Sequence, residues 1–80
     1  MARPDQKRLD DIREMCDVIG EIVERGRSRF DEDRVIQLAL ERALEVLGEA
    51  ANSLSETTQS NYPGVPWREI TRLRIRLAHH

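Results

Sequence analysis

Apolar side chains recur at intervals of three and four residues along the first part of the chain, which is the spacing of an amphipathic helix. The stripe comprises Leu9, Ile12, Met15, Cys16, Ile19, Ile22 and Val23. Pro4 suits the first turn of a helix and Gly26 offers a left-handed stop, so the stripe predicts a helix between these two residues. Because Cys16 lies on the stripe, we expect a buried and unreactive thiol.

A second apolar segment is too broad to be covered by one neighbour. It comprises Val35, Ile36, Leu38, Ala39, Leu40, Ala43, Leu44, Val46, Leu47, Ala50, Ala51 and Leu54. Residues 26–30 are predicted to be a connector, and the acidic residues 31–33 predict the opening turn of a helix that ends near Leu54. So apolar a helix needs two partners, either two helices of its own chain or one of them and a second subunit. Gly48 costs about 1 kcal/mol relative to alanine inside a helix, so its presence predicts close approach of another backbone.

The composition changes between Asn52 and Pro66, where Ser, Thr, Asn, Gly and Pro predominate. Such a composition predicts a loop. Pro66 then begins a third helix, with Trp67 in its first turn. The sequence shows no strand-like alternation, no repeat and no glycine-rich phosphate loop. It therefore predicts an all-α fold, with residues 1–80 forming a single domain of three helices.

The third helix has two different sides at about 100° per residue. Its packing side comprises Trp67, Ile70, Leu73 and Leu77. The opposite side carries a basic strip, defined here as Arg72, Arg76 and His79, which is suited to binding phosphates.

Arg74 projects about 60° from the centre of the packing side. An unpaired charge there would cost several kcal/mol, so Arg74 is expected either to pair with Glu45 or Glu49 or to reach a cleft. Arg74 and His79 lie about 140° apart around a regular helix. They could grip one small group only if the helix ended between them or a second copy supplied the missing side, which favours a site at a two-fold interface.

Charge separates this helix from the rest of the chain. Residues 66–80 carry four arginines and a single acidic residue, Glu69, although the whole chain has a net charge of −2. The positive charge of this helix would attract a polyanionic partner, although the whole chain is slightly acidic. The alternative is an arginine-rich helix that is solvated and held by the acidic remainder.

Composition narrows the function classes. A single cysteine allows no internal disulfide, and no Cys or His spacing indicates a metal or cofactor site. The terminal His79-His80 pair has an alternative origin as the start of an affinity tag. No apolar run reaches the roughly 18–20 residues that span a bilayer and no signal-peptide core follows Met1, so the expected compartment is the cytoplasm. A core this small favours oligomerisation.

Residues 74–79, Arg-Ile-Arg-Leu-Ala-His, resemble the Arg-x(4–6)-His signature of the HEPN superfamily. Their setting is similar to the HepT-like branch, the toxins of HEPN–nucleotidyltransferase toxin–antitoxin pairs. The resemblance extends over nearly all the chain. Its further segments are Arg8-Leu9-Asp10-Asp11-Ile12, Phe30 with the acidic residues after it, Leu47-Gly48-Glu49-Ala50-Ala51, Leu54-Ser55, and Val65-Pro66-Trp67 through Ile70 to Leu73-Arg74.

The resemblance implies an antiparallel helical bundle that forms a homodimer and brings two copies of the motif into one cleft. It implies a metal-independent endoribonuclease that acts on RNA without a cofactor and is silenced by a nucleotidyltransferase antitoxin. In that reading His79 handles protons while the ribose 2′-hydroxyl attacks phosphate, and Arg74 stabilises the phosphoryl charge. Arg72 and Arg76 would hold substrate.

Three departures from the family pattern define the alternatives. Ile75 follows the motif arginine, where relatives usually carry a polar residue, often asparagine. The tyrosine two positions beyond the histidine, which the partner modifies, and the family's C-terminal helix both lie beyond His80, so the chain is expected to be incomplete at its C-terminus. One alternative is therefore a catalytically inactive HEPN module that binds a nucleotidyltransferase or a nucleotide. Another is a plain helical dimerisation domain.

Overall fold

The computed structural model describes the backbone of residues 4–78 and the side chains of residues 5–73. Within residues 4–78 the chain forms helices and no strand, in the order α1 (Pro4–Glu24), α2 (Arg27–Glu32), α3 (Arg34–Ser53), α4 (Glu56–Ser60) and α5 (Trp67–Ala78). The all-α prediction is confirmed, and α1, α3 and α5 are the three helices predicted from apolar spacing. In the described part of the chain, no helix has the length and apolar character needed to cross a membrane.

Helix α3 lies at the centre of the bundle and packs against both α1 and α5. Its buried residues are Ile36, Ala43, Leu47, Gly48, Ala50 and Ala51. Small residues occupy four of these six positions, which suits close packing by the neighbouring helices. The close backbone approach expected at Gly48 stays a prediction. The two partners that the broad apolar segment requires are therefore both helices of the same chain.

Two apolar residues near the start of α3 are exposed and do not join the core. Val35 is 74% exposed and Leu38 is 48% exposed. The first turn of α3 is stabilised by a side-chain cap. Asp33 accepts hydrogen bonds from the backbone N–H groups of Val35 (2.9 Å) and Ile36 (3.4 Å). The acidic residues 31–33 thus end α2 and cap α3, and they do not form the first turn of α3 as predicted.

The prediction of a buried Cys16 is wrong, because its thiol is exposed. Val23, another member of the predicted stripe, is 70% exposed. Met15 and Ile22 face the interior of the bundle. Cys16 and Val23 are the next residues along the helix, so each side chain points about 100° away from that of its inward-facing neighbour. The buried side of α1 is therefore narrower than the distribution of its apolar residues predicts.

Two segments predicted to lack regular structure contain short helices. Helix α2 lies in the predicted connector, and α4 lies in the predicted loop between Asn52 and Pro66. Gly26 precedes α2 with φ 86° and ψ 164°, a backbone conformation that essentially only glycine adopts. Ser55 precedes α4, and its hydroxyl accepts a hydrogen bond from the Thr58 N–H (3.2 Å).

Candidate nucleic-acid interface

Helix α5 separates apolar from charged side chains as the sequence predicts. Trp67, Ile70 and Leu73 are half-buried, whereas Arg68 and Arg72 are exposed. Because α5 packs on α3, its apolar side is held against the core and its arginines are held outward. The helix therefore presents positive charge to solvent on a fixed support.

The predicted site residues fall at the edge of the described part of the chain. Arg72 is described and exposed. Arg74 and Arg76 lie in α5 by their backbone, but their side chains are outside the described residues, and so is all of His79. The roles of Arg74, His79, Arg72 and Arg76 stay predictions.

The two glutamates predicted as partners of Arg74 differ in their surroundings. Glu45 accepts a hydrogen bond from Nη1 of Arg42 at 3.2 Å, in an exposed ion pair within α3. Glu49 is exposed on the same helix. Of the two, Glu45 already has a cationic neighbour.

A groove of about 530 Å³ lies between α4 and the first half of α5. We name it the α4–α5 groove, and its lining residues are Asn52, Leu54, Glu56, Gln59, Trp67, Arg68, Thr71 and Arg72. Arg68 and Arg72 both line this groove, so α5 contributes two arginines to one concave surface. Arg68 was missed by the sequence reasoning, although its position four residues before Arg72 places it on the side of the helix that carries the basic strip.

Trp67 fixes α5 to the end of α4. Its indole Nε1–H donates hydrogen bonds to the backbone oxygens of Gln59 and Tyr62, both at 3.1 Å. Gln59 in turn donates from Nε2 to the Ala51 carbonyl oxygen on α3 at 2.9 Å. These bonds tie both walls of the groove to the central helix.

Asp5 fixes the opposite end of α4 to α1. Its carboxylate accepts hydrogen bonds from the Ser55 hydroxyl (2.6 Å), the Ser55 N–H (3.3 Å) and the Thr58 hydroxyl. The bonds from the Ser55 hydroxyl and then the Thr58 hydroxyl favour the charged carboxylate and hold the pKa of Asp5 below its ordinary value. Burial acts in the opposite direction and is outweighed.

Among the residues that the structure describes, no three His, Cys, Asp or Glu side chains come together as metal ligands would. This finding concerns protein ligands alone, and the metal-independent reaction implied by the resemblance stays a prediction.

The structure is a small helical bundle with two exposed arginines on one concave surface, a charge arrangement that suits a polyanion. Residues 12–80 match the family model described as "Ribonuclease HepT-like". The chain therefore belongs to the HepT-like ribonuclease family, as its motifs suggested. No solved structure matches it significantly.

Similar proteins carry related names. The chain is 39% identical over 71 residues to a provisionally named RNase of Methanocaldococcus jannaschii, a match covering 89% of this chain and 59% of that protein. It is 36% identical over 80 residues to a provisionally named ribonuclease HepT of Thermococcus cleftensis, covering 99% and 73%. It is 36% identical over 73 residues to a provisionally named RNase of Caldanaerobacter subterraneus subsp. tengcongensis, covering 89% and 64%. The matched part thus spans from three fifths to three quarters of these relatives.

Proposed function

We propose that this chain is a metal-independent endoribonuclease that cuts RNA with Arg74 and His79 at a cleft between two identical subunits. The observation that carries the proposal is membership of the HepT-like ribonuclease family over residues 12–80, a range that includes the complete Arg74…His79 motif. The orientation of α5 supports it, because its packed side faces α3 and its exposed side carries arginines.

The proposed reaction is an attack within the RNA strand. The imidazole of His79 accepts the proton of a ribose 2′-hydroxyl while that oxygen forms a bond to the adjacent phosphorus. The bond from phosphorus to the 5′-oxygen of the next nucleotide breaks, and that oxygen takes up a proton from water as it leaves. Arg74 stabilises the charge that builds on the non-bridging oxygens, since a guanidinium matches a phosphate with two parallel hydrogen bonds. Arg72 and Arg76 hold the substrate.

The proposed homodimer follows from the motif spacing. Arg74 and His79 are five positions apart, which separates them by about 140° on a regular helix. A second subunit brings another Arg74 and another His79 to the same cleft. The exposed Val35 and Leu38 leave apolar surface on α3 in the described part of the chain, which is consistent with association. Sedimentation of the purified chain measures the oligomeric state directly.

The proposed biological setting is a toxin–antitoxin pair in the cytoplasm. In that setting the chain is the toxin, RNA is its target, and a nucleotidyltransferase-type antitoxin is its protein partner. Support for this part comes from the family resemblance.

The decisive experiment measures cleavage of RNA in the presence of a chelator by the wild-type chain, Arg74→Ala and His79→Ala. Removing a general base or a phosphoryl-stabilising group is expected to lower the cleavage rate by about 100-fold or more. Arg29→Ala is the matched control, because Arg29 is an exposed arginine on α2, outside the α4–α5 groove. Equal cleavage by the wild type and His79→Ala would contradict the proposed mechanism.

A second candidate function is a catalytically inactive HEPN module that binds a nucleotidyltransferase or a nucleotide. Ile75 favours it, because an apolar residue follows the motif arginine where relatives usually carry a polar one. The same variants separate the two functions. An inactive module would cut no RNA, would keep its partner binding in His79→Ala, and would lose that binding when Arg72 and Arg76 are changed to glutamate.

A further inference from the structure

The arginines of the α4–α5 groove are available to an outside anion. Within the described residues the ion pairs are Lys7–Asp11, Arg27–Asp31 and Arg42–Glu45, and none of them involves Arg68 or Arg72. Glu56 is the acidic residue of the groove, and it hydrogen-bonds to neither arginine in the described part. The groove therefore contains two arginines and one glutamate, and neither arginine is neutralised by an ion pair among the described residues.

The arginines are spaced to follow a strand. Arg68 and Arg72 are four residues apart, which corresponds to a rise of about 6 Å along one side of α5. Arg76 continues the same four-residue spacing into the predicted basic strip. A row of guanidinium groups along a helix can follow consecutive phosphates of a single strand, whereas a small anion would need only one of them.

The other groove residues add polar groups that suit RNA. The hydroxyl of Thr71 and the amide of Asn52 can hydrogen-bond to ribose hydroxyls or base edges. Gln59 uses its Nε2 to bond Ala51, which leaves its Oε1 as an acceptor. Because Trp67 and Gln59 hold the helices on both sides of the groove to the core, its backbone framework is preorganised.

We propose that the α4–α5 groove binds the stretch of RNA that flanks the cleaved phosphate, with Arg68 and Arg72 contacting successive phosphates beside the motif. This inference rests on the proposed ribonuclease function, and it adds a substrate-positioning residue, Arg68, that the Arg-x4-His motif does not contain. Glu56 repels the strand and limits its affinity. The groove thereby extends the substrate contacts from the C-terminal half of α5 to its first turn.

The test compares RNA of two lengths. Binding of a trinucleotide and of a single strand of about twelve nucleotides is measured by fluorescence anisotropy over a range of salt concentrations. Arg68→Ala is expected to weaken binding of the longer RNA about 3- to 10-fold and to reduce its salt slope by about 0.7, the effect of one lost phosphate contact. The trinucleotide, which is too short to occupy both the motif and the groove, is expected to change little. Glu56→Gln is expected to strengthen binding of the longer strand.

The controls separate this inference from the proposed function. Arg29→Ala removes an exposed arginine from α2 and is expected to leave both affinities unchanged, and circular dichroism checks that each variant is folded. If the wild type cleaves RNA but Arg68→Ala binds and cleaves the longer strand normally, the groove is not a subsite and the ribonuclease proposal stands. If binding depends on Arg68 but no RNA is cut, the groove is supported and the catalytic proposal fails. Loss of self-association in Arg68→Ala, with RNA binding intact, would assign the groove to a protein interface and overturn the inference.

Discussion

Helices α2 and α4 are nearly equal in length but are attached to the bundle in different ways. They comprise six and five residues, and neither contains a buried residue. Isolated helices shorter than about 12–15 residues are marginal in water, so each depends on contacts outside itself. For α2 the described contacts are local, since Gln37 donates from Nε2 to the backbone oxygens of Phe30 (2.9 Å) and Asp31 (3.4 Å).

The contacts of α4 join distant parts of the chain. Asp5 binds Ser55 across fifty positions of sequence, and Trp67 binds the far end of the helix. Helix α4 is therefore attached to both outer helices, α1 and α5, whereas α2 completes the corner between α1 and α3. A short helix can thus be held by neighbouring residues, as α2 is, or can connect two distant helices, as α4 does. Its hydrogen-bond partners determine which of the two it is. A substitution that detaches α4 should consequently disturb the groove, and one that disrupts α2 should not.

The largest effect is expected from Trp67→Ala. This change removes a half-buried aromatic side chain and both indole hydrogen bonds to the end of α4. We expect the free energy of unfolding to fall by about 2–4 kcal/mol, because large aromatic truncations in packed sites cost that order of energy. Chemical denaturation followed by circular dichroism measures it, since Trp67 is the only tryptophan and its fluorescence is lost in the variant.

Trp67→Phe separates packing from hydrogen bonding. It keeps a smaller aromatic ring in the packed site and removes the Nε1–H donor, so a loss of about 1–2 kcal/mol is expected, below that of Trp67→Ala. Both variants should also weaken binding of the longer RNA, because the groove wall formed by α4 is no longer fixed. A variant that is destabilised yet binds the longer strand as tightly as the wild type would show that α4 does not need this tie to shape the groove.

The sequence predicted those features of the molecule that depend on local periodicity. The apolar spacing of α1, α3 and α5 located all three long helices, and the breadth of the α3 pattern correctly required two partners. It failed for Cys16 and Val23, because the width of the contact between two helices is set by the partner and not by the residue type. The prediction failed for α4 because Glu56-Thr57-Thr58-Gln59-Ser60 has no apolar repeat. The helix is held by hydrogen bonds to Asp5, Ala51 and Trp67, which lie outside it.

The arginines that line the α4–α5 groove were anticipated in part from the sequence, for a related reason. Arg72 was identified because it shares a side of α5 with Arg76 and His79, a relation that sequence spacing contains. Arg68 was not singled out because its proposed role depends on a concave surface that α4 creates, and α4 itself was not predicted. Sequence spacing identifies which residues share a helix side, but the element that faces them across a groove is known only from the fold.

A smaller effect, confined to the other short helix, is expected from Gly26→Ala. Gly26 adopts φ 86° with ψ 164°, and an added Cβ would meet no atom within 4 Å. The cost is therefore backbone strain alone, about 1–3 kcal/mol for a residue held in this region. Thermal or chemical unfolding measures the loss. Gly64→Ala is the control, since its added Cβ also meets no atom within 4 Å and its φ is not positive. RNA binding by Gly26→Ala should match the wild type, and a weakened affinity would contradict the separation of α2 from the groove.

The smallest effect, and the one that depends on pH, is expected at Asp5. Hydrogen bonds from Ser55 and Thr58 lower the pKa of Asp5 in the folded chain below the ordinary value of 3.8. A carboxyl group with a lowered folded pKa stabilises the fold fully above its unfolded pKa, and that contribution is lost as the pH falls through the folded pKa. Asp5→Asn carries no titrating group, so the wild type should be the more stable of the two near pH 7, and their difference should shrink below about pH 4. Asp17→Asn, an equivalent change at an exposed position of α1, is the matched control. If the difference between wild type and Asp5→Asn instead stayed constant from pH 7 to about pH 3, the tie between α1 and α4 would not depend on the charge of Asp5.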